Sequence, residues 1–379
     1  MKKKIVVILS KWLDEYSGPS LRTKNLIKDL SKDYSFNIIS SSSDGIKFKW
    51  GVFLNSPYFI ISFLNKKIYR FKFLRLISRF AEITLSFIIL ILKRPDLIHI
   101  LGRTYPWESG LIYCKVFQKP LILEFVHENQ PLFLTYNLFF GKKLRIIPNE
   151  KKTLLISISN IIEKELKQIN KKLNKNIAIW NRPNPIKIDL ANIKNKPKSE
   201  KITLGYLAKF KEIKNQKFLI DVLVHLPEKY VLLLIGPTNN HYIQRESTEN
   251  YLEELRSHCE KLNLLKRVKI IPGYLPSEHF YPKIDIFLNP SLREGLGTTI
   301  IESIFLKKKL IANKDVESFR QHIIHSYNGF LLELDAFKWS KYIRNYNTYI
   351  KKNNQIKSDK IFKTTVEIHN EYKYWYEQL

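Results

Sequence analysis

The chain is poor in cysteine, in acidic residues and in long apolar runs. Its two cysteines, Cys114 and Cys259, stand far apart, with no CxxC or CxxH spacing around either. That excludes a disulfide framework and a zinc site built on such spacing. Both thiols are expected to be buried in a reducing compartment. No stretch reaches the ~20 apolar residues of a spanning helix. The nearest, Ala81 to Leu92, is about half that length and contains Glu82. At the amino terminus, Lys2-Lys3-Lys4 precedes the apolar run Ile5 to Leu9. The run is too short for a secretion signal, and Lys11, Asp14 and Glu15 follow at once, so a first buried strand is expected. Acids number 35 against 64 lysines and arginines, a net charge of +29. Such a balance attracts polyanions: a membrane surface, nucleic acid or charged substrates. With 379 residues, 44% of them hydrophobic, the chain is not disordered and is long enough for two domains.

What is present is an alternation of short β-branched runs and amphipathic stretches. Strands are expected at Ile5–Leu9, Phe36–Ser40, Pro95–Ile100, Leu121–Val126, Thr153–Ser159 and Ile177–Trp180. A second series follows at Ile202–Leu207, Val231–Ile235, Val268–Ile271, Ile284–Leu288 and Leu310–Ala312. Helices are expected at Leu21–Leu30, Tyr251–Leu262, Ile300–Leu306 and over much of Ala336–Leu379. Two such series predict an α/β protein of two parallel-sheet domains, 1–190 and 191–379, facing a central cleft. The lysine- and asparagine-rich run Asn192 to Lys201, with Pro197, is the expected linker.

The most informative stretch is Ser291-Leu292-Arg293-Glu294-Gly295-Leu296-Gly297-Thr298-Thr299-Ile300-Ile301-Glu302. It reads as strand, glycine turn, helix. Thr298 or Thr299 is expected to cap the helix through its hydroxyl. Free amides at a helix start, with the helix dipole, attract phosphate, and glycines let a ligand approach the backbone. Glu294 and Glu302 are acceptors for the hydroxyls of a sugar. A second, local reading stays open: Thr299-x-x-Glu302 is also a capping box, and Glu294 is then an ordinary solvated acid. Two other loops follow strands. Gly18-Pro19-Ser20 comes after the first, and Ala208-Lys209-Phe210-Lys211-Glu212-Ile213-Lys214-Asn215 after Ile202–Leu207. His127 ends Leu121–Val126, where a parallel strand points polar residues into a ligand crevice.

The Glu294–Glu302 segment resembles the E-x7-E signature of family 4 glycosyltransferases, retaining enzymes of the GT-B fold that use nucleotide-sugars. The resemblance implies two Rossmann-like domains, an acceptor-side one first and a donor-binding one second. It also implies a last helix, about the final 20 residues, crossing back onto the first domain. Glu294 would hold the donor sugar and Glu302 the ribose. Amides of Gly295, Leu296, Gly297 and Thr298 would meet the diphosphate. Lys209 and Lys214 are similar to the cations of the family's G-R-L-x-x-x-K-N loop, although Lys209 stands in place of arginine and lacks its bidentate fork. Gly18 matches a glycine that faces the diphosphate, and His127 a histidine beside the donor sugar. Glu294, His127 and Lys214 form the implied catalytic set, with no metal and no cofactor beyond the donor. One departure stands out: Asp315 to Gln321 replaces a Gly-Gly-x-x-Glu segment, with Gln321 in the place of the glutamate.

The implied activity is hexosyl transfer, with retained configuration, from a UDP- or GDP-sugar to a glycan or lipid-linked acceptor in surface polysaccharide biosynthesis. A cytoplasmic protein is expected, peripheral at the inner face of the plasma membrane. Residues 63–79 suggest the contact: Lys66, Lys67, Arg70, Lys72, Arg75 and Arg79 alternate with aromatic and aliphatic residues and no acid. Such a segment lies on anionic lipid or is a solvated helix with one buried face. Two other functions fit parts of the pattern. One is a non-hydrolysing UDP-sugar epimerase of the same fold. The other is a non-catalytic basic protein binding membrane or nucleic acid, for which no specific nucleic-acid motif is present.

Overall fold

The computed structural model describes residues 4–11, 18–41, 58–60, 72–102, 107–126, 130–131, 137–139, 142–144, 149–182, 185–186, 199–238, 242–351 and 363–379. The chain divides into two compact units, Met1–Pro183 with Thr365–Leu379, and Asn184–Thr364.

The first unit runs β1 (Lys4–Lys11), α1 (Gly18–Leu30), β2 (Tyr34–Ser41), β3 (Tyr58–Ile60), α2 (Lys72–Lys93), β4 (Leu97–Leu101), α3 (Trp107–Val116), β5 (Leu121–Phe125), β6 (Asn137–Phe139), β7 (Lys142–Leu144), β8 (Thr153–Ser157), α4 (Asn160–Leu173) and β9 (Ala178–Asn181). Seven strands form a sheet ordered β3-β2-β1-β4-β5-β8-β9, parallel throughout. Val6 to Leu9 in β1 are wholly buried, as an uninterrupted aliphatic run must be when helices cover both faces. Helix α1 begins at Gly18, three positions before the expected Leu21. Expected strand Thr153–Ser159 stops at Ser157, because Ser159 instead caps α4 by accepting the Ile162 amide at 3.4 Å.

The second unit runs β10 (Pro185–Ile186), β11 (Ile202–Leu207), α5 (Gln216–Val224), β12 (Tyr230–Gly236), α6 (Tyr242–Lys261), β13 (Val268–Pro272), α7 (Ser277–Phe280), β14 (Ile286–Asn289), α8 (Thr298–Phe305), β15 (Lys309–Asn313), α9 (Glu317–Arg320), β16 (Phe330–Leu332), α10 (Ala336–Arg344), α11 (Tyr346–Tyr349) and β17 (Lys363–Thr364). Its main sheet is parallel, ordered β13-β12-β11-β14-β15-β16. The core between sheet and helices is continuous and includes Phe280, Phe287, Phe319 and Trp339, all fully buried. Short strands β10 and β17 pair in parallel, Pro185 with Lys363 and Ile186 with Thr364. Helix α6 starts nine positions before the expected Tyr251, because its first turns are polar and give no apolar period to read. Most of the expected linker lies outside the described residues.

Helix α12 (Thr365–Gln378) then returns to the first unit. Ile368, Tyr372 and Tyr376 enter that unit's core beside Tyr34 and Phe36. The Tyr376 ring meets Tyr34 edge-on at 5.3 Å, and Tyr372 meets Trp180 at 4.9 Å. The helix also covers a buried carboxylate: Glu124 accepts hydrogen bonds from Arg182 at 2.9 Å and from the Tyr372 hydroxyl at 2.6 Å. Burial alone would push Glu124 up, but Arg182, and then His99 and Arg22, hold it well below the usual carboxylate range.

Candidate active site

In the second sheet, sequence order reverses direction between β11 and β14. Ligand crevices of open α/β sheets form at such a switch, outside the carboxyl ends of the strands. The loops leaving β11 and β14 are the lysine loop and the Glu294 loop. They are sewn together by their backbones: the Leu292 amide donates to the Ile213 carbonyl at 2.9 Å, and the Asn215 side-chain amide to the Pro290 carbonyl at 3.4 Å. Asn215 takes a left-handed conformation, φ 53°, between the single 3-10 turn at Glu212–Lys214 and α5. Asparagine is among the few residues that accept this at low cost. Gly236 closes the site from β12. A Cβ there would lie 1.8 Å from the Ala208 carbonyl oxygen, so the lysine loop can pass only because the side chain is missing.

This sewing brings the Lys214 ammonium onto Glu294 Oε1 as an ion pair, with both side chains about a fifth exposed. Ser291 donates to the same oxygen at 3.1 Å, and the Tyr206 and Ser291 hydroxyls are 2.7 Å apart. A serine hydroxyl has one proton. If Ser291 gives it to Glu294, Tyr206 must donate to Ser291. Tyr206 stays protonated, because burial first and the Glu294 charge second push its phenol well above its usual range. The backbone of Glu294 is held from behind, where Ser318 donates to its carbonyl at 3.0 Å.

The helix start differs from expectation. Gly297, φ 70°, is the cap residue of α8, so the cap falls one position before Thr298 and two before Thr299. A Cβ on Gly297 would also sit 2.9 Å from the Phe319 ring. The backbone thus needs glycine twice over, for its torsion and for its neighbour, and the turn's shape rather than a hydroxyl ends the loop.

The capping-box reading of Glu302 also fails. Its Oε2 accepts from Ser277 at 2.9 Å and from Tyr281 at 3.2 Å, on the neighbouring turns after β13. Glu302 is 9% exposed. Burial pushes its carboxyl up to about 7; the Ser277 and Tyr281 bonds oppose that rise and Glu278 adds to it. The two glutamates of the motif therefore stand in different settings, one paired with a lysine and one held by hydroxyls.

The departure at 315–321 has a structural role. Within it α9 packs Phe319 under Gly297 and places Ser318 on Glu294. His322, just beyond, is pushed down to about 4 by burial, against a bond to the Leu296 backbone, so it is neutral at physiological pH. Lys209 lies in the lysine loop, where its carbonyl receives the Gln216 side chain at 3.0 Å. Gly18 opens α1 at the carboxyl side of β1, in the other unit. His127 lies outside the described residues, as do 63–71. Sequence reasoning missed Tyr206, Ser277, Tyr281 and Ser318. None belongs to a spaced pattern, and each reaches the site from a different element.

Residues 188–360 match the family model described as Glycosyl transferases group 1. The capsular polysaccharide biosynthesis glycosyltransferase CapH of Staphylococcus aureus is 24% identical over 335 residues, 86% of each chain. Anabaena Alr3699/HepE, solved in complex with UDP and glucose, superposes with a TM-score of 0.69 at 16% identity, over 99% of each chain. A glycosyltransferase from Rickettsia africae ESF-5 superposes with a TM-score of 0.68 at 15% identity, over 100% of this chain and 99% of that one. At these identities the superpositions establish the fold, which is GT-B.

Proposed function

We propose that this chain, a glycosyltransferase by the group 1 domain it carries over residues 188–360, moves a hexosyl group from a uridine-diphosphate sugar to a glycan or lipid-linked acceptor of a surface polysaccharide, with retention of configuration. The observation that carries the reading is the Lys214–Glu294 pair at the β11/β14 switch, beside the α8 amino end. The uridine comes from the HepE complex with UDP, and the acceptor class from the name of CapH.

The chemistry needs negative charge stabilised on the leaving diphosphate. Lys214, Lys209 and the amides at Gly295–Thr298 supply fixed positive potential where that charge develops. Glu294, held rigid by Lys214, Ser291 and Ser318, offers its carboxylate to donor hydroxyls. Glu302 offers its own to the ribose. A retaining transfer of this kind requires no protein nucleophile if the acceptor attacks from the leaving-group face, and the departing phosphate then takes the acceptor proton. His127, two positions past β5 in the sequence, is proposed as the counterpart of the family's donor-side histidine.

Glu294→Ala and Lys214→Ala are each expected to lower kcat by about 10²–10³-fold with a UDP-sugar donor, the usual loss for one oriented charge-stabilising group. Undiminished turnover in both would refute the site. Isomerisation of the donor with no acceptor present would instead identify an epimerase.

The acceptor side is proposed to rest on anionic lipid. Helix α2 turns Ile77, Phe80, Ile88, Ile91 and Leu92 outward, with Leu92 74% exposed. In sequence Lys72 and Arg75 precede this stripe, Arg79 falls between its first two members, and Lys93 and Arg94 follow it, while the helix's one acid, Glu82, is buried. An outward apolar stripe with basic ends matches an anionic bilayer surface. No described helix is long and apolar enough to cross a membrane.

A further inference from the structure

We infer that Ser277 and Tyr281 are positioning residues for nucleotide recognition: together they pin one carboxylate oxygen of Glu302 and so aim the other at the ribose hydroxyls of the donor. The inference rests on the proposed donor site and goes beyond it, since neither hydroxyl belongs to the glutamate motif.

The geometry is asymmetric. Both hydroxyls reach Oε2, Ser277 at 2.9 Å and Tyr281 at 3.2 Å, while Oε1 makes no hydrogen bond to the described protein. Glu302 sits in the first turns of α8, and Ser277 begins α7 on the far side of the turn that follows β13. A carboxyl with one pinned oxygen has a fixed plane, and its second oxygen has a fixed direction. The Tyr281 ring is fully buried and packs edge-on against Phe280 at 5.2 Å, so it holds its hydroxyl in place.

Proton counting separates the roles. Ser303 lies 2.6 Å from the Thr299 carbonyl and 3.3 Å from the Tyr281 hydroxyl. Its single proton goes to the nearer carbonyl. The Thr299 carbonyl thus has a donor without Tyr281, although Tyr281 also lies 2.9 Å from it. The tyrosine proton is available for Glu302 whenever that carboxyl is ionised. An ionised carboxylate accepts on both oxygens; a protonated one spends an oxygen as donor. Ribose presents two adjacent hydroxyl donors, so recognition requires the ionised form. Burial works against that form, and Glu278 works with burial; the groups that favour ionisation are Ser277 and Tyr281. Removing either hydroxyl raises the carboxyl further and empties the binding-competent form near neutral pH.

The test is calorimetry of the full chain with UDP and with UDP lacking its 2′- and 3′-hydroxyls, between mildly acid and alkaline pH. Ser277→Ala is expected to weaken UDP about tenfold at neutral pH, the scale of one hydrogen bond to an ionised group. The deficit should shrink as pH rises, because alkali restores the carboxylate. Tyr281→Phe, which keeps the ring, should behave alike. Neither variant should change the affinity for the dihydroxyl-deficient nucleotide. An equal loss for both nucleotides, or a loss that does not vary with pH, overturns the inference while leaving the donor site standing. Glu302→Gln separates the levels: if it binds UDP as the parent does, the ribose contact itself is wrong and the inference falls with it.

Discussion

A single absent methyl group determines where Lys214 can be. Gly236 lies at the end of β12, where the absence of a side chain lets the Ala208 carbonyl pass. An alanine there would meet backbone, which cannot rotate away as a side chain can. Gly236→Ala is therefore expected to cost about 1–3 kcal/mol of stability by overpacking. It should also raise donor KM more than it lowers kcat, because the whole lysine loop moves. Urea unfolding together with steady-state kinetics checks both parts. A variant of unchanged stability and unchanged KM would mean that the loop relaxes freely, and that the lysine's position is not imposed from β12. The glycine itself was visible in sequence as Gly236-Pro237 after a strand. Its reason was not, because the backbone that it accommodates lies about thirty positions earlier.

Among elements, α12 illustrates how a buried charge attaches a helix to a sheet. Glu124 on β5, Arg182 just after β9 and Tyr372 on α12 come from three segments and meet in the first unit's interior. Ion pairs of this kind add little net stability, but removing one partner strands the other in a low-dielectric setting. Arg182→Met is expected to destabilise the first unit by about 3–5 kcal/mol. Tyr372→Phe should cost about 1.5–3 kcal/mol, the loss of one bond to a charged acceptor. The pH dependence follows from the direction of the Glu124 shift. Its folded-state carboxyl titrates below the unfolded one, so its stabilisation is complete above the ordinary carboxylate range and is lost as pH falls through that range and below. Arg182→Met should flatten this acid limb. Chemical denaturation followed at several pH values would show it, and an unaltered acid limb would remove Glu124 from the account. From sequence, the stretch that holds Tyr372 and Tyr376 reads only as part of a helical Ala336–Leu379. That this helix covers a carboxylate nearly 250 positions away was not legible, since the apolar run around Glu124 marks a buried strand but not the partners of its acid.

At the scale of the molecule, the net charge of +29 and the outward stripe of α2 combine in one expectation. The protein should partition onto vesicles containing anionic lipid at low ionic strength, and less so as salt screens the attraction beyond ~10 Å. Ile88→Glu with Leu92→Glu should abolish most of the binding while leaving soluble-acceptor turnover near the parent value. Equal partition onto neutral and anionic vesicles would show that charge plays no part. The same scale shows how far pattern reading goes. Periodicity identified both parallel sheets, because a strand covered on two faces must be apolar along its length. Glycine spacing found the loop at Glu294, because left-handed turns admit few other residues. It assigned the helix cap to the wrong residue, because Thr298 and Gly297 are equally good candidates until Phe319 is seen against the turn.

By itself, then, the sequence determined two strand–helix series and the loop in which Glu294, Gly297 and Glu302 lie. Those features depend on side-chain period and local torsion, which neighbours along the chain specify. Only the tertiary structure decided that Lys214 closes on Glu294, that Glu302 turns to Ser277 and Tyr281, and that α9 braces the glycine turn. Each of these joins groups from separate elements, and a hydrogen bond or ion pair leaves no periodic trace in the chain that makes it.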